Sequence, residues 1–274
     1  MSAATAETRP DAAPLLLRED AEGIATVTLN RPSARNSLSL AMLEAMNDML
    51  AAIAEDRGVR VLILASSGPA FSGGHDLKEL TAHRGDPDGG RAFFTTCFET
   101  CSRMMQGVVN LPQPVIAAIE GIATAAGCQL AASCDLVVAS ETAKFGVSGI
   151  NAGLFCTTPG VALGRAVPRK MAMELLLTGD IVPASEAQRM GLVNRVTAPG
   201  QALAEAVAIA RRIADHSALS VRMGKRGFNA QIGLPLDQAY AVASQVMVEN
   251  LMARDAIEGI DAFIGKRKPV WEDR

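Results

Sequence analysis

The 274-residue chain has no apolar run approaching membrane-spanning length, which excludes a spanning helix as its organising element. It also has no basic excess: the formal net charge is -3, which gives no sign of a nucleic-acid partner. The opening "MSAATAETRPDAAP" has no apolar signal core. It carries acids and a single arginine, unlike a transit peptide. No internal repeat or low-complexity linker interrupts the chain. Five cysteines (Cys97, Cys101, Cys128, Cys134 and Cys156) include no Cys-x-x-Cys pair. That excludes the short-spaced zinc and thioredoxin-like motifs and favours buried free thiols in a reducing compartment. Together these absences lead us to expect a cytoplasmic protein with residues 1–13 as a flexible arm.

With 49% hydrophobic residues, the chain can bury a large core. "GIATVTLN" alternates and is β-branched, as a strand does. "VRVLILAS" and "PVIAAIEG" are nearly continuous apolar runs, the signature of strands covered on both faces, and "DLVVAS" is a further strand. "LSLAMLEAMNDMLAAIAED" repeats its apolar residues every three to four positions and predicts a helix, with its methionines in the core. A second helix is predicted over roughly Gly90 to Val109. From Val161 the pattern is almost wholly helical. These alternations predict an α/β core over 14–200 and a smaller helical subdomain over 201–274.

Two loops follow the predicted buried strands: "AFSGGHDL" and "EGIATAAGCQL". Gly73, Gly74, Ala125, Ala126 and Gly127 are small, so backbone N–H groups can approach a ligand there. A helix starting near Ala126 would turn its free N–H groups toward a developing anion. Two such loops facing each other would form an oxyanion hole, although a tight strand-to-helix turn accounts for either loop alone.

In order along the chain, "RPSARNSLS", "AFSGGHDLKEL", "EGIATAAGCQLAASCDLVVAS", "AKFG", "TPGVALGRAVPR", "TGDIVPASEAQRMGLVNRV" and "AIEGIDAFIGKRKP" resemble the enoyl-CoA hydratase/isomerase (crotonase) superfamily. The likeness covers about Leu15 to Pro269. It implies a spiral of ββα units with a helical C-terminal trimerisation region, in a homotrimer or a dimer of trimers. It also implies an acyl-CoA thioester as ligand. Coenzyme A then arrives as part of the substrate, with no permanently bound cofactor and no metal.

By motif match, the thioester carbonyl would be held by the N–H groups of His75 and Ala126, the latter standing where the family often has glycine. Gly74 and Asp76 flank this loop. Ser33, Arg35, Ser37 and Lys78 match the segment lining the CoA phosphates and adenine. Phe263 and Lys266 match C-terminal positions that reach the adenine, in some members from the adjoining subunit.

The likeness breaks where hydratases carry their two glutamates. Gln129 stands at the first position and Gly149 at the second. Hydration needs a base for water and an acid for the α-carbon; an amide cannot accept that proton at neutral pH. The resemblance therefore implies a lyase- or isomerase-type protein with ordinary hydration in doubt. An enolate-stabilising enzyme, for instance a malonyl-type-CoA decarboxylase, is one reading. A non-catalytic acyl-CoA binder and a hydratase with a replacement base are the others. The His75 ring is expected to face solvent or the CoA. Ser148, Asn151, Cys156, Thr157 and Thr158 are expected to line the acyl pocket, with Cys128 packed and unreactive.

Overall fold

A computed structural model describes residues 13–274. The expected arm at 1–13 lies, but for its last residue, outside the described residues. In chain order the first elements are β1 (Leu16–Ala21), β2 (Ile24–Leu29), α1 (Leu40–Glu55), β3 (Val61–Ser66), β4 (Ala70–Ser72), α2 (Leu77–Ala82) and α3 (Arg91–Asn110). Then come β5 (Val115–Ile119), β6 (Ile122–Thr124), α4 (Ala126–Ser133), β7 (Leu136–Ser140) and β8 (Lys144–Gly146). A 3-10 turn (Ser148–Ala152), α5 (Thr157–Ala166), α6 (Arg169–Thr178), β9 (Ile181–Pro183), α7 (Ala184–Met190) and β10 (Arg195–Thr197) follow. The chain ends in α8 (Ala202–Ala214), α9 (Ala218–Gln231), α10 (Leu236–Leu251) and α11 (Arg254–Ile264).

One sheet runs β1-β2-β3-β5-β7-β10, parallel except for the β1–β2 pair. A second sheet runs β4-β6-β8-β9. Three long buried strands are each followed by a short strand in the second sheet and then by a helix: β3-β4-α2, β5-β6-α4, β7-β8-α5. The fold is thus the expected spiral of ββα units. The short strands β4 and β6 lie inside stretches that read as loops in the sequence, and β8 lies in one with no predicted element, because three residues are too few to show a period.

Strand alternation sorts the core into two faces. Leu62, Leu64, Val115, Ala117, Ile119, Val137 and Ala139 join the main cluster with α1 and α3. Val61, Ile63, Ile116, Ala118 and Val138 face the other way, against Ala202, Ala206, Ile209 and Ala210 of α8. This explains the continuous apolar runs. It also means that α8, on the C-terminal side of the expected 200/201 boundary, covers the back of the sheet. In α1, Ser39 caps the first turn through Met42 N, and Met42, Leu43, Met46, Leu50 and Ile53 are buried at helical spacing. Among the described residues, no helix is long and apolar enough to cross a membrane.

Beyond α8, the C-terminal helices are tied to the core by a small number of polar contacts. Lys225 of α9 is one such tie: its Nζ donates to Asp135 Oδ2 (2.6 Å), Gln113 O (3.0 Å) and Val108 O (3.4 Å). Asp135 also accepts from Val115 N at 2.7 Å. The Lys225 side chain is 9% exposed, so Lys225→Met strands a carboxylate and two carbonyls. A cost of about 2 kcal/mol is expected, below that of a fully buried pair because Asp135 is partly solvated. Urea unfolding of the variant checks this.

By contrast, α10 buries no residue in this chain. Tyr240, Met247, Val248 and Met252 lie exposed along it and just beyond its end.

Candidate active site

The loop between β4 and α2 is bolted to the segment before α1. Gly73 N donates to Arg35 O (2.9 Å), Leu38 N to Gly74 O (2.8 Å) and Asp76 N to Leu38 O (3.4 Å). This makes a short parallel bridge between Leu38 and His75. Asp76 caps α2, accepting from Lys78 N and Glu79 N. Its other oxygen accepts from Arg31 Nη1 at 2.7 Å and from the Ser37 hydroxyl at 3.3 Å. Glu79 in turn accepts from Leu40 N at the start of α1.

Asp76 and Ser37, expected at the ligand, are therefore engaged in holding the loop. Arg31 and Glu79, which the sequence did not single out, complete this network. So does the fully buried Asn36, whose side chain donates to Ser67 O and Ala70 O and accepts from Arg31 N. The only sequence signal was their place in the "RPSARNS" and "AFSGGHDLKEL" segments.

Burial by itself would raise the Asp76 carboxyl. The Arg31 guanidinium and the α2 amides outweigh it and hold the group below the ordinary carboxylate range. A depressed folded-state pKa gives stability that is present above the unfolded value and is lost as pH falls through the folded one. Acidification below about pH 4 is therefore expected to destabilise the wild type more than Asp76→Asn. Urea midpoints at pH 6 and pH 3 read the difference.

The second loop leaves β6 at Thr124 and turns through Ala125, at φ 49° and ψ -119°. Ala125 N donates to Gly146 O (2.9 Å), and the Thr124 hydroxyl donates to Gly73 O (3.2 Å). The two loops abut. Gly74 has φ +91°, and a β-carbon built on it would lie 3.3 Å from Ala126 N and 2.8 Å from Ala125 Cβ. Ala126 opens α4, so its N–H has no partner within the helix. Among the described residues no acceptor meets the N–H of His75 or of Ala126. Two free backbone donors thus stand on adjoining loops at the start of a helix, a pattern suited to an oxyanion.

The His75 ring departs from expectation. It packs edge-on against Phe98, with ring centroids 4.8 Å apart, and its Nδ1 lies 3.7 Å from Cys97 Sγ. Its Nε2 is buried without a partner. Burial holds the imidazole below its ordinary pKa, opposed in part by the Leu38 backbone, so the ring is neutral at pH 7. The cause is α3, whose buried side reaches His75; sequence spacing gave no notice of that long-range packing.

Gln129 lies one turn after Ala126 on α4. It is 4% exposed, and its Oε1 is buried without a partner. Gly149 sits in the 3-10 turn after β8. A β-carbon there would lie 2.6 Å from both Cys156 Sγ and Leu154 O. No carboxylate side chain stands at either position. Cys128 is fully buried and its thiol is pushed up to about 12, mainly by burial, in keeping with an unreactive role. The Thr157 hydroxyl and the Asn151 amide are spent on Phe155 O and Gly179 O.

Ser33, Arg35 and Lys78 are exposed beside the first loop. Phe263 (85% exposed) and Lys266 belong to the end of α11. Phe263 lines a groove there with Val221, Ile260 and Trp271, apart from Arg35 and Lys78. Within one chain the structure does not bring the two predicted adenine-end groups together.

A model of the family "Enoyl-CoA hydratase/isomerase" matches residues 19–274. The chain is 49% identical over 250 residues to rat (Rattus norvegicus) enoyl-CoA hydratase domain-containing protein 3, mitochondrial, covering 91% of this chain and 82% of the relative. The crystal structure of the human protein of that name superposes with a TM-score of 0.89 at 46% identity, covering 94% of this chain and 100% of the other. A crystal structure of an enoyl-CoA hydratase from Mycobacterium smegmatis gives 0.90 at 49% identity, covering 94% and 99%. The rat, mouse and human relatives all carry a mitochondrial designation, which overturns the expectation of a cytoplasmic protein. Reduced thiols do not separate one reducing compartment from another.

Proposed function

Because this chain belongs to the enoyl-CoA hydratase/isomerase family, we propose that it binds acyl-CoA thioesters and stabilises a thioester enolate without ordinary hydration. The observation that carries the reading is the meeting of Gly74 with Ala125 and Ala126, which sets two unpaired N–H donors side by side. In this reading the His75 and Ala126 N–H groups take the thioester oxygen. As charge moves from the breaking bond to that oxygen, the donors need no reorganisation, and each is worth roughly 2.7–4 kcal/mol in comparable sites.

The same donors do nothing to activate water. Gln129 supplies a hydrogen-bonding amide, and Gly149 supplies no side chain. Decarboxylation of a malonyl-type CoA fits this set best, because loss of carbon dioxide generates the enolate without a base. The His75 ring is packed against Phe98 and Cys97, and the reading uses the residue's main-chain N–H. Turnover of malonyl-, methylmalonyl- and crotonyl-CoA by the purified protein tests the reading. It expects carbon dioxide from a carboxylated substrate and little hydration of crotonyl-CoA. Fast hydration would overturn it.

Ser33, Arg35 and Lys78 are assigned to the CoA phosphates. Phe263 and Lys266 are assigned to the adenine of a CoA bound by a neighbouring copy, since their place at the end of α11 separates them from Arg35. The exposed apolar residues of α10 support a trimer or a dimer of trimers. A trimeric or hexameric mass is expected in light scattering at micromolar concentration, and a monomer would refute the assembly. Affinity for CoA should weaken as salt rises from 50 to 500 mM, because exposed cation–phosphate pairs are screened within roughly 10 Å at 0.1 M. Calorimetry across that range reads the slope.

A further inference from the structure

Helix α11 carries both groups assigned to the adenine, Phe263 near its end and Lys266 just beyond it, yet it packs little within the chain. Only Asp255 and Ala262 are buried along it, and a helix with so small a buried face is not fixed by apolar packing. Polar contacts from residues 267–274 hold it instead. Arg267 pairs with both carboxylate oxygens of Glu258 (2.5 and 2.7 Å), and Glu258 also accepts from Val270 N (2.8 Å). The Trp271 ring lies over Gly259, where a built β-carbon would stand 3.2 Å from it. Its Nε1 donates to Asp215 O at the end of α8 (2.8 Å). Gly259 and Phe263 are four residues apart and share one helix face, so the ring stands beside Phe263 in the groove that they line together.

Asp255, in the first turn of α11, is 1% exposed, and a carboxylate so buried is costly unless its oxygens are bonded. They accept from Glu272 N (2.8 Å) and Asp273 N (3.1 Å), and Asp255 N donates to Arg274 O (3.1 Å). Asp273 then joins this segment to the rest of the chain. Its carboxylate accepts from Ala218 N at the start of α9 (2.8 Å) and from Nη1 of Arg60, just before β3 (3.2 Å). Arg60 donates through Nη2 to His216 O. Asp273 holds φ 58°, a left-handed conformation that costs a non-glycine residue energy and persists where its surroundings fix it.

We propose that residues 267–274 form a strap and that Asp273 is a positioning residue for acyl-CoA binding. Through Asp255 and Trp271 the strap sets the angle of α11, so that Phe263 and Lys266 meet the adenine already in place. The inference rests on the assignment of those two residues to the adenine given above. Asp273 itself touches no ligand. Ordering side chains at the moment of binding weakens affinity, and fixing them beforehand removes that cost. The strap therefore acts on ligands that carry the adenine and not on thioesters that end at pantetheine.

The test is calorimetry on the full chain with propionyl-CoA and with propionyl-pantetheine. Asp273→Ala is expected to weaken propionyl-CoA binding by about fivefold or more and to leave propionyl-pantetheine unchanged. Asp273→Asn, which keeps an acceptor oxygen and tolerates the left-handed conformation, is expected to recover most of the affinity. Should Asp273→Ala fold poorly, Asp255→Asn removes one acceptor from the other side of the clamp, and the same pattern is expected. In a Phe263→Ala/Lys266→Ala background, adding Asp273→Ala is expected to cost less than about twofold, because a residue acting through those two has nothing left to position. A merely structural role would give the full loss again. That full loss would overturn the proposal, as would wild-type affinity in folded Asp273→Ala and Asp255→Asn. A fall in mass by light scattering would assign the strap to assembly and overturn it as well. If Phe263→Ala/Lys266→Ala itself binds propionyl-CoA like wild type, the adenine assignment fails, and the strap's role falls with it.

Discussion

Gly74→Ala is expected to lower thioester turnover by about 100-fold or more while leaving most of the CoA affinity in place. The new methyl group would lie 2.8 Å from Ala125 Cβ and 3.3 Å from Ala126 N. It would also sit on a residue at φ +91°, where an L side chain is strained by roughly 1–2 kcal/mol. Neither neighbour can yield easily, since Ala125 is pinned by its own N–H bond to Gly146 O. The loops must separate, and with them the His75 and Ala126 donors. Removing one such donor costs 10²–10³ in rate elsewhere; a displacement of both should cost at least the lower figure. Exposed Ser33, Arg35 and Lys78 lie outside the clash, so binding should fall only a few-fold. Steady-state kinetics on methylmalonyl-CoA with calorimetry on the same preparation separates the two effects. Unchanged turnover in a folded Gly74→Ala protein would mean that the paired N–H groups are not the site.

The second large effect is a failure to convert. Gln129→Glu should leave crotonyl-CoA hydration at least about 100-fold below that of a two-glutamate hydratase, since one general acid or base contributes 10²–10⁴. At 4% exposure the new carboxyl is desolvated, which raises its pKa, but it still faces no second acid–base group at position 149. Adding Gly149→Glu does not rescue it. Gly149 is not at positive φ, so the obstacle is space. The side chain would start 2.6 Å from Cys156 Sγ and from the Leu154 carbonyl, and overpacking of this kind costs about 1–3 kcal/mol. The double variant is expected to be less stable than wild type and still a poor hydratase. Thermal unfolding followed by a crotonyl-CoA assay checks both halves, and a double variant with wild-type stability and fast hydration would refute both.

The long elements were legible one by one. Alternation in "GIATVTLN", unbroken apolar runs in "VRVLILAS" and "PVIAAIEG", and three-to-four spacing from Met42 to Ile53 each correspond to the observed strand or helix. The short strands β4, β6 and β8 were not legible. They exist because neighbouring turns of the spiral pair there, and a three-residue segment carries no period of its own. The small residues Gly74, Ala125 and Ala126 pointed to a backbone site, since only small side chains let two loops touch.

What the amino-acid sequence determined alone is chemical inventory: an amide at 129, no side chain at 149, small residues in both loops, and buried strands that demand cover on two faces. What tertiary structure decided is adjacency. It spent Asp76 on an ion pair with Arg31 and the Ser37 hydroxyl on Asp76, turned the His75 ring against Cys97 and Phe98, and filled the space at Gly149 with the Cys156 sulfur. Each of these contacts joins residues on different elements, from 7 to 45 positions apart. Side-chain identity sets what a group can do; only packing sets whether it meets a partner, solvent or substrate.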